Sequence, residues 1–281
     1  MARKKNKYAD EAGRIGELKY ETERWLYGEI RVWDICRRFI DGLQYGRYKD
    51  QQHGGTWVTE PSEPGVSRVT VNLLLPIYNR LQSMLSVTVP YIGVRPASMT
   101  TADMIKAKTD SAMIQYLWET CKIPEVFRHA QRWQIVCGNV FIHTYFDMEK
   151  DQITAEVVPP YDVFCQGSVD CIHKSEWLIK RSYLYGSAIE RLYPKVDLSE
   201  VDTVVTTLGD DRINFTYASD TADDQDRYEV LEYWSREHNK HCIVIGNQIA
   251  WEAKKWDGSQ KFPIVHIRFH QLPGRLHGKG A

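Results

Sequence analysis

Cys165, Cys171 and His173 form the sharpest chemical grouping in the sequence. With His143 or Cys137 alongside, their thiolate and imidazole groups would suit tetrahedral zinc. Their Cys-x5-Cys-x-His spacing matches none of the common zinc fingers or knuckles, and free cysteine is among the most buried residue types for reasons of packing alone. The expectation is therefore buried free thiols and no metal. His238, His241 and Cys242 straddle an expected turn and make a weaker ligand set still. Asp220, Asp223, Asp224 and Asp226 would imitate a two-metal nuclease centre, but such a centre needs carboxylates on rigid elements. These four lie in a polar run that reads as a solvated loop. No Gly-x-Ser-x-Gly elbow, P-loop or Gly-x-Gly-x-x-Gly turn occurs. No catalytic, cofactor-binding or metal-binding residue is assigned, and no cofactor is expected. The alternative reading is a metal-dependent nucleic-acid enzyme, a nuclease, built on the Cys/His or Asp clusters.

Two other groups suit binding. Arg3, Lys4, Lys5 and Lys7 form a basic start able to contact phosphate or an acidic partner, although the same residues would also simply solubilise a terminus. Leu18, Trp25, Val32 and Phe39 recur every seven residues, with Leu26, Trp33, Cys36, Ile40 and Leu43 on the same broad face. That is a helical pattern, and Trp25, Trp33 and Phe39 are its candidate subunit-interface residues, with core packing as the plainer use.

The elements that must hold these groups follow from pattern and punctuation. One long helix, or two joined near Gly28, is expected from about Ala9 to Leu43, after a solvated basic tail. The run from Asp41 to Ser67 is dense in Gly and Pro and is expected to be an extended loop. Asn72 is placed to cap a helix carrying Leu74, Ile77, Tyr78, Leu81, Met84 and Leu85, which Val89-Pro90 would end. A third helix opens at Thr100 or Thr101 with Met104, Ala107, Ile114, Leu117 and Trp118 as its stripe. Pro124 and Gly138 bracket a fourth. Beyond Gly138 the period becomes that of strands: a hairpin from Val140 to Val158, then strands near 177–183, 228–234, 241–245, 248–254 and 264–269. Gly246-Asn247 sits where a two-residue turn belongs. Ser187 to Glu190 has capping-box spacing for a short helix, and the acidic stretch from Glu200 to Glu229 reads as a solvated connection. The fold class expected is α+β, a helical N-terminal half packed on a β-rich second half. The division is 1–15 basic tail, 16–138 mainly helical, 139–271 β-rich, and 272–281 a connection leading onward.

Composition sets outer limits. The 281 residues are 43% hydrophobic, which suits one or two domains with a real core. With 36 Lys+Arg against 37 Asp+Glu, the net charge is -1, so there is no global basic field to hold nucleic acid. Six cysteines without a Cys-x-x-Cys pair point to free thiols. No signal-peptide core and no window of about 20 apolar residues is present, so a soluble chain made inside the cell is expected, with no membrane partner.

The order of segments resembles the portal, or head-to-tail connector, proteins of tailed bacteriophages. The likeness begins with the helix of Trp25 and Trp33 and its Gly/Pro-rich loop, then Asn72-Leu-Leu-Leu-Pro-Ile-Tyr-Asn-Arg80, Pro90 and Val94-Arg95-Pro96. Gly138-Asn-Val-Phe-Ile-His-Thr-Tyr-Phe146, Val157-Val-Pro-Pro-Tyr-Asp-Val-Phe164 and Ala188-Ile-Glu-Arg-Leu-Tyr-Pro194 continue it. Val230-Leu-Glu-Tyr-Trp234 and Phe262-Pro-Ile-Val-His-Ile-Arg-Phe269 close it, so that it spans most of residues 16–275. What the resemblance implies is a non-enzymatic virion protein at the portal vertex of the capsid, assembled in the host cytoplasm. It would form a homo-oligomeric ring, typically of twelve copies, through which double-stranded DNA passes without sequence specificity during genome packaging and ejection. The terminase large subunit, capsid and scaffolding proteins and tail adaptor proteins would be its partners. The segment looks like the wing portion, and the channel-lining stem would follow Ala281. A monomeric binding module of virion or host is a third reading.

Overall fold

In the computed structural model the described residues are 2–49, 56–59, 69, 71–87, 92–147, 150–167, 169–202, 227–253, 256 and 261–281, with backbone alone for 2–10, 48, 49, 56, 59 and 200. Helices occupy the N-terminal half and antiparallel sheets the C-terminal half, so the class is α+β. Helix α1 is one unbroken rod, Ala2–Ile40. It starts earlier than expected and passes through Gly28 without a joint. Its buried face carries Ala12, Ile15, Leu26, Ile30 and Trp33, the positions that a true 3.6-residue period selects. Of the seven-residue series, Leu18 packs against this cluster and Phe39 is half-buried, whereas Trp25 and Val32 lie outside.

The Gly/Pro-rich run is not all loop. Strands β1 (Gly46–Lys49) and β2 (Thr56–Thr59) pair as a two-stranded ribbon. Their Tyr48, Thr56, Trp57 and Val58 are good strand formers, and Gly46 lets the Trp57 ring lie where a Cβ would overlap it. Helix α2 (Leu74–Ser86) opens as expected, with Asn72 Oδ1 accepting from the N–H groups of Leu74 and Leu75 at 3.2 and 3.0 Å. Helix α3 (Thr101–Thr120) is capped by Thr100, which accepts from Asp103 N–H. Helix α4 (Ile123–Cys137) has Pro in its first turn and ends on Gly138 at φ +74°.

The sheets form the centre. Strands β3 (Asn139–Asp147), β4 (Gln152–Val158) and β10 (Ile264–Arg268) make a three-stranded sheet in the order β10-β3-β4. Strands β5 (Val163–Cys165), β6 (Trp177–Tyr185), β7 (Arg227–Ser235), β8 (Lys240–Ile245) and β9 (Gln248–Glu252) make a five-stranded antiparallel meander. Alternation decides what each face meets. Ile179, Leu231, Tyr233, Cys242 and Val244 pack against α1. On the reverse face Leu178 and Trp234 pack against Phe141, Val158 and Ile264 of the smaller sheet. Ile189 of α5 (Gly186–Leu192) covers Tyr228, Val230 and Ile245 beside them. The smaller sheet turns Val140, Ile142 and Ala155 to Ala130 of α4. The layers therefore run α1, large sheet, small sheet, α4. The capping box expected at Ser187 is not formed: α5 begins after Tyr185 without a side-chain cap.

The 276–280 segment is docked on the fold. Leu276, His277 and Gly278 are buried, and Asn139 holds them. Its Oδ1 accepts from Gly278 N–H at 2.6 Å and from His266 Nε2 at 3.2 Å, while its Nδ2 donates to Cys137 O and Gly278 O. The chain passes so close to Gly138 that a Cβ there would overlap the Lys279–Gly280 backbone.

Candidate interaction surface

The three aromatic interface candidates separate in the fold. Trp33 is 2% exposed, edge-on to Tyr161 and to His277 with ring centroids 5.3 Å away in each case. It belongs to the chain's own core and has no surface to offer a neighbour. Phe39 is partly buried. Trp25 is 57% exposed and rests its ring on Gly167, where there is no side chain to lift it off. Arg3, Lys4, Lys5 and Lys7 lie on the backbone of α1 in a stretch whose side chains are outside the described residues. Asp220, Asp223, Asp224 and Asp226, and most of the acidic connection, also lie outside them.

The cysteine and histidine candidates do not converge. Cys165 is buried and its thiol is pushed up to about 12, first by burial and then by Cys171. His173 stacks on Phe262, and burial lowers its pKa. Cys242 is buried beneath α1 and is likewise pushed up to about 12 by burial. Thiols held protonated are poor ligands and poor nucleophiles. Among the described residues no group of three or more His, Cys, Asp or Glu side chains is placed to hold a metal.

Sequence reading missed a buried ionic network between the two sheets. Lys180 Nζ donates to Glu156 Oε1 at 2.8 Å and pairs with Glu232 Oε2 at 3.2 Å, and His143 Nδ1 lies 3.1 Å from Glu156 Oε1. His241 Nε2 reaches Glu232 Oε1 at 3.0 Å and stacks on Trp234. Burial alone would raise both carboxyls, but the hydrogen bond from histidine and the lysine charge outweigh it and hold each at about 2. Burial disfavours the ammonium too, yet the two carboxylates raise Lys180 above its ordinary value. Strand register could have found each half, since His143 lies opposite Glu156 and Lys180 opposite Glu232. That the halves meet face to face is a matter of sheet packing. On the other side of the large sheet Arg181 joins Asp162, Tyr161 O and Glu23, which ties strand to α1. In each network one cation is shared by two carboxylates, which ties strands and helix together as internal staples.

The open chemistry lies on the helices. Leu74, Leu75, Ile77 and Met84 of α2 are exposed, and the helix has no buried residue. Helix α3 buries Ala107 alone and exposes Met104, Ile105, Met113 and Tyr116. Of the expected stripes, Ala107 is buried and Tyr78, Leu81, Leu85, Ile114, Leu117 and Trp118 are half-buried, with Trp118 stacked on Phe127, whereas Leu74, Ile77, Met84 and Met104 face outward. Polar clasps fix this arm in place: Asn72 Nδ2 donates to Ile40 O at 2.6 Å, Gln131 Nε2 to Leu85 O at 3.1 Å, and Val94 N–H to Ser111 Oγ at 3.1 Å. No helix among the described residues is long and apolar enough to cross a membrane. The chain matches no known protein-family model, and a search of the curated proteins finds no significant match to it.

Proposed function

We propose that the chain is the wing portion of a phage portal subunit, a structural wedge in a closed ring through which double-stranded DNA passes. The observation that carries this reading is where three of the resembling segments fall: they are joints of the fold. Asn72 caps α2 and ties it to the end of α1. Gly138-Asn139 turns α4 into β3 and gathers β10 and the 276–281 segment around one amide. Val157 to Phe164 carries the chain from the small sheet into the large one through a 3-10 turn at Pro160–Asp162. A lineage that keeps its architecture keeps such joints, because backbone constraints tolerate few residue types.

A ring requires two different faces on each subunit, and the exposed α2–α3 arm supplies one surface that the chain itself leaves uncovered. Near-neutral overall charge suits a conduit in which DNA must slide and not be gripped. In this role the ring docks terminase and tail adaptors, and the energy for DNA movement comes from the separate motor.

The test is the native mass of the full-length protein by light scattering and mass spectrometry. Discrete rings of about a dozen subunits are expected. A monomer at micromolar concentration, or stoichiometric metal with divalent-dependent DNA cleavage, would overturn the reading.

A further inference from the structure

We propose that residues 276–281 form an acid-released strap: docked over the joint between α4 and β3 at neutral pH, it lifts off with the sheets still folded once His277 and His266 take up protons. The proposal stands apart from the ring reading.

The docking is close but narrow. Gly278 N–H donates to Asn139 Oδ1 at 2.6 Å, Lys279 N–H to His270 O at 2.9 Å and Ala281 N–H to Ile135 O at 3.0 Å. A side chain would block this approach. A Cβ on Gly280 would lie 2.8 Å from Ile135 O and Val136 O, and one on Gly278 2.8 Å from Gly138 O and His270 O. Yet the segment sends a single aliphatic side chain, Leu276, into the core, and its ladder contact is the isolated bridge between His270 and Lys279. Strand β7, by contrast, pairs along its whole length with β6. An element held by so little opens at a lower free energy than the sheets do.

Two rings make the hold depend on protons. His277 is buried edge-on to Trp33 of α1, and its Nδ1 has no partner. His266 of β10 lies 6.3 Å from it between ring centroids, and its Nε2 reaches the same Asn139 oxygen that holds Gly278. The surroundings do not favour a charge on either ring. On α1, Asp34 is paired with Arg38 at 2.9 Å, Arg37 with Asp41 at 3.4 Å, and Glu29 lies 3.8 Å from Arg275. Beside Trp33, Cys137 of α4 and Tyr161 are kept protonated by burial. β10 adds Arg268, a like charge to an imidazolium, and the segment adds Lys279. Burial therefore holds both rings neutral, below the ordinary histidine range.

Lifting the segment hydrates His277 and opens one side of His266, so the released form takes up protons that the docked form refuses. Docking is at full strength above about pH 6.5 and weakens as the pH falls. His277, at about 4 when docked and near 6.5 when released, favours release by about 20-fold between pH 7 and pH 5, and His266 adds to this. Release uncovers the edge of Trp33, the Asn139 amide and the α4–β3 joint.

The test is hydrogen exchange by mass spectrometry on the full-length protein at pH 7, 6 and 5, corrected for the intrinsic pH dependence of exchange. Peptides covering 276–281 are expected to exchange faster than those of β7 at each pH, and to lose at least ~20-fold of their protection between pH 7 and pH 5. Near-ultraviolet circular dichroism should stay native throughout. His277→Phe should remove that ~20-fold share. Gly280→Ala should leave the strap exchanging fast already at pH 7, with β7 still protected. Equal protection of strap and β7 at pH 5 would mean that the strap opens only with the whole fold. An undiminished pH dependence in His277→Phe would mean that this ring is not the trigger, and a Gly280→Ala strap as protected as wild type would refute the docking itself. Any one of these three results overturns the proposal.

Discussion

Lowering the pH from 7 to 5 should cost the protein about 4 kcal/mol of stability through two histidines. His277 is 7% exposed, its Nδ1 has no partner, and burial lowers it to about 4. His266 stacks on Phe141 with ring centroids 4.4 Å apart. It is lowered to about 3 by burial, then by His277 and Arg268. Unfolded histidine titrates near 6.5. Between that value and the folded ones the unfolded chain binds more protons, so stability is full above about 6.5 and falls as the pH drops, levelling below about 3. Integrating from pH 7 to pH 5 gives about 2 kcal/mol for each ring. Glu156 and Glu232, held low, act in a different window: their stabilisation is lost only as the pH falls from about 4.5 toward 2. Urea unfolding followed by tryptophan fluorescence at pH 7, 6 and 5 measures the loss, and His277→Phe isolates it. The variant keeps a ring against Trp33, removes an unsatisfied nitrogen, and should lose about 2 kcal/mol over the same interval instead of about 4. If wild type and variant lose the same amount within ~0.5 kcal/mol, the buried-histidine argument is wrong.

Lys180→Met should destabilise by about 3–5 kcal/mol at pH 7, because Glu156 and Glu232 would be left without their shared cation. Chemical denaturation measures this, and a cost below ~1 kcal/mol would mean that water already solvates the network. Gly138→Ala meets both a positive φ and the Lys279–Gly280 backbone, so it should cost at least ~2 kcal/mol and speed tryptic cleavage after Arg275 and Lys279. Gly28→Ala, in the middle of α1 with nothing within 4 Å of the added Cβ, should instead stabilise by about 0.5–1 kcal/mol in the same unfolding assay.

Much of the fold was legible because backbone punctuation is local. Gly138, Pro124, Thr100, Asn72 and Gly246 stand at the boundaries where their chemistry puts them, and the strands follow β-branched and aromatic runs. What failed was a matter of which face turns inward. On α1 the seven-residue series Leu18, Trp25, Val32 and Phe39 looked like the centre of the buried stripe, yet Trp25 and Val32 are exposed while Leu26, Ile30 and Trp33 pack on the sheet. An aromatic residue and an aliphatic neighbour lie about 100° apart on a helix, and both suit a core, so sequence could not choose between the two faces. The ribbon at residues 46–59 was hidden because Gly46 was counted as a breaker, when its lack of a side chain is what admits Trp57. The ionic network escaped notice because its members are scattered from residue 143 to residue 241.

The distribution of buried residues separates folding from association. Almost all large buried side chains belong to α1, α4 and the two sheets, whereas α2 contributes none and α3 a single alanine. Such an arm contributes little hydrophobic stabilisation, and without further restraint its helices would fray. The clasps from Asn72, Gln131 and Ser111 supply part of that restraint through backbone groups, and Trp118 stacked on Phe127 adds to it, leaving Leu74, Ile77, Met84 and Met104 exposed. Rigid presentation matters for affinity, since ordering a loose arm at the moment of contact would cost about 0.5–1.5 kcal/mol for each immobilised side chain. It also means that residues on the outer face of the arm can change with little effect on the melting temperature.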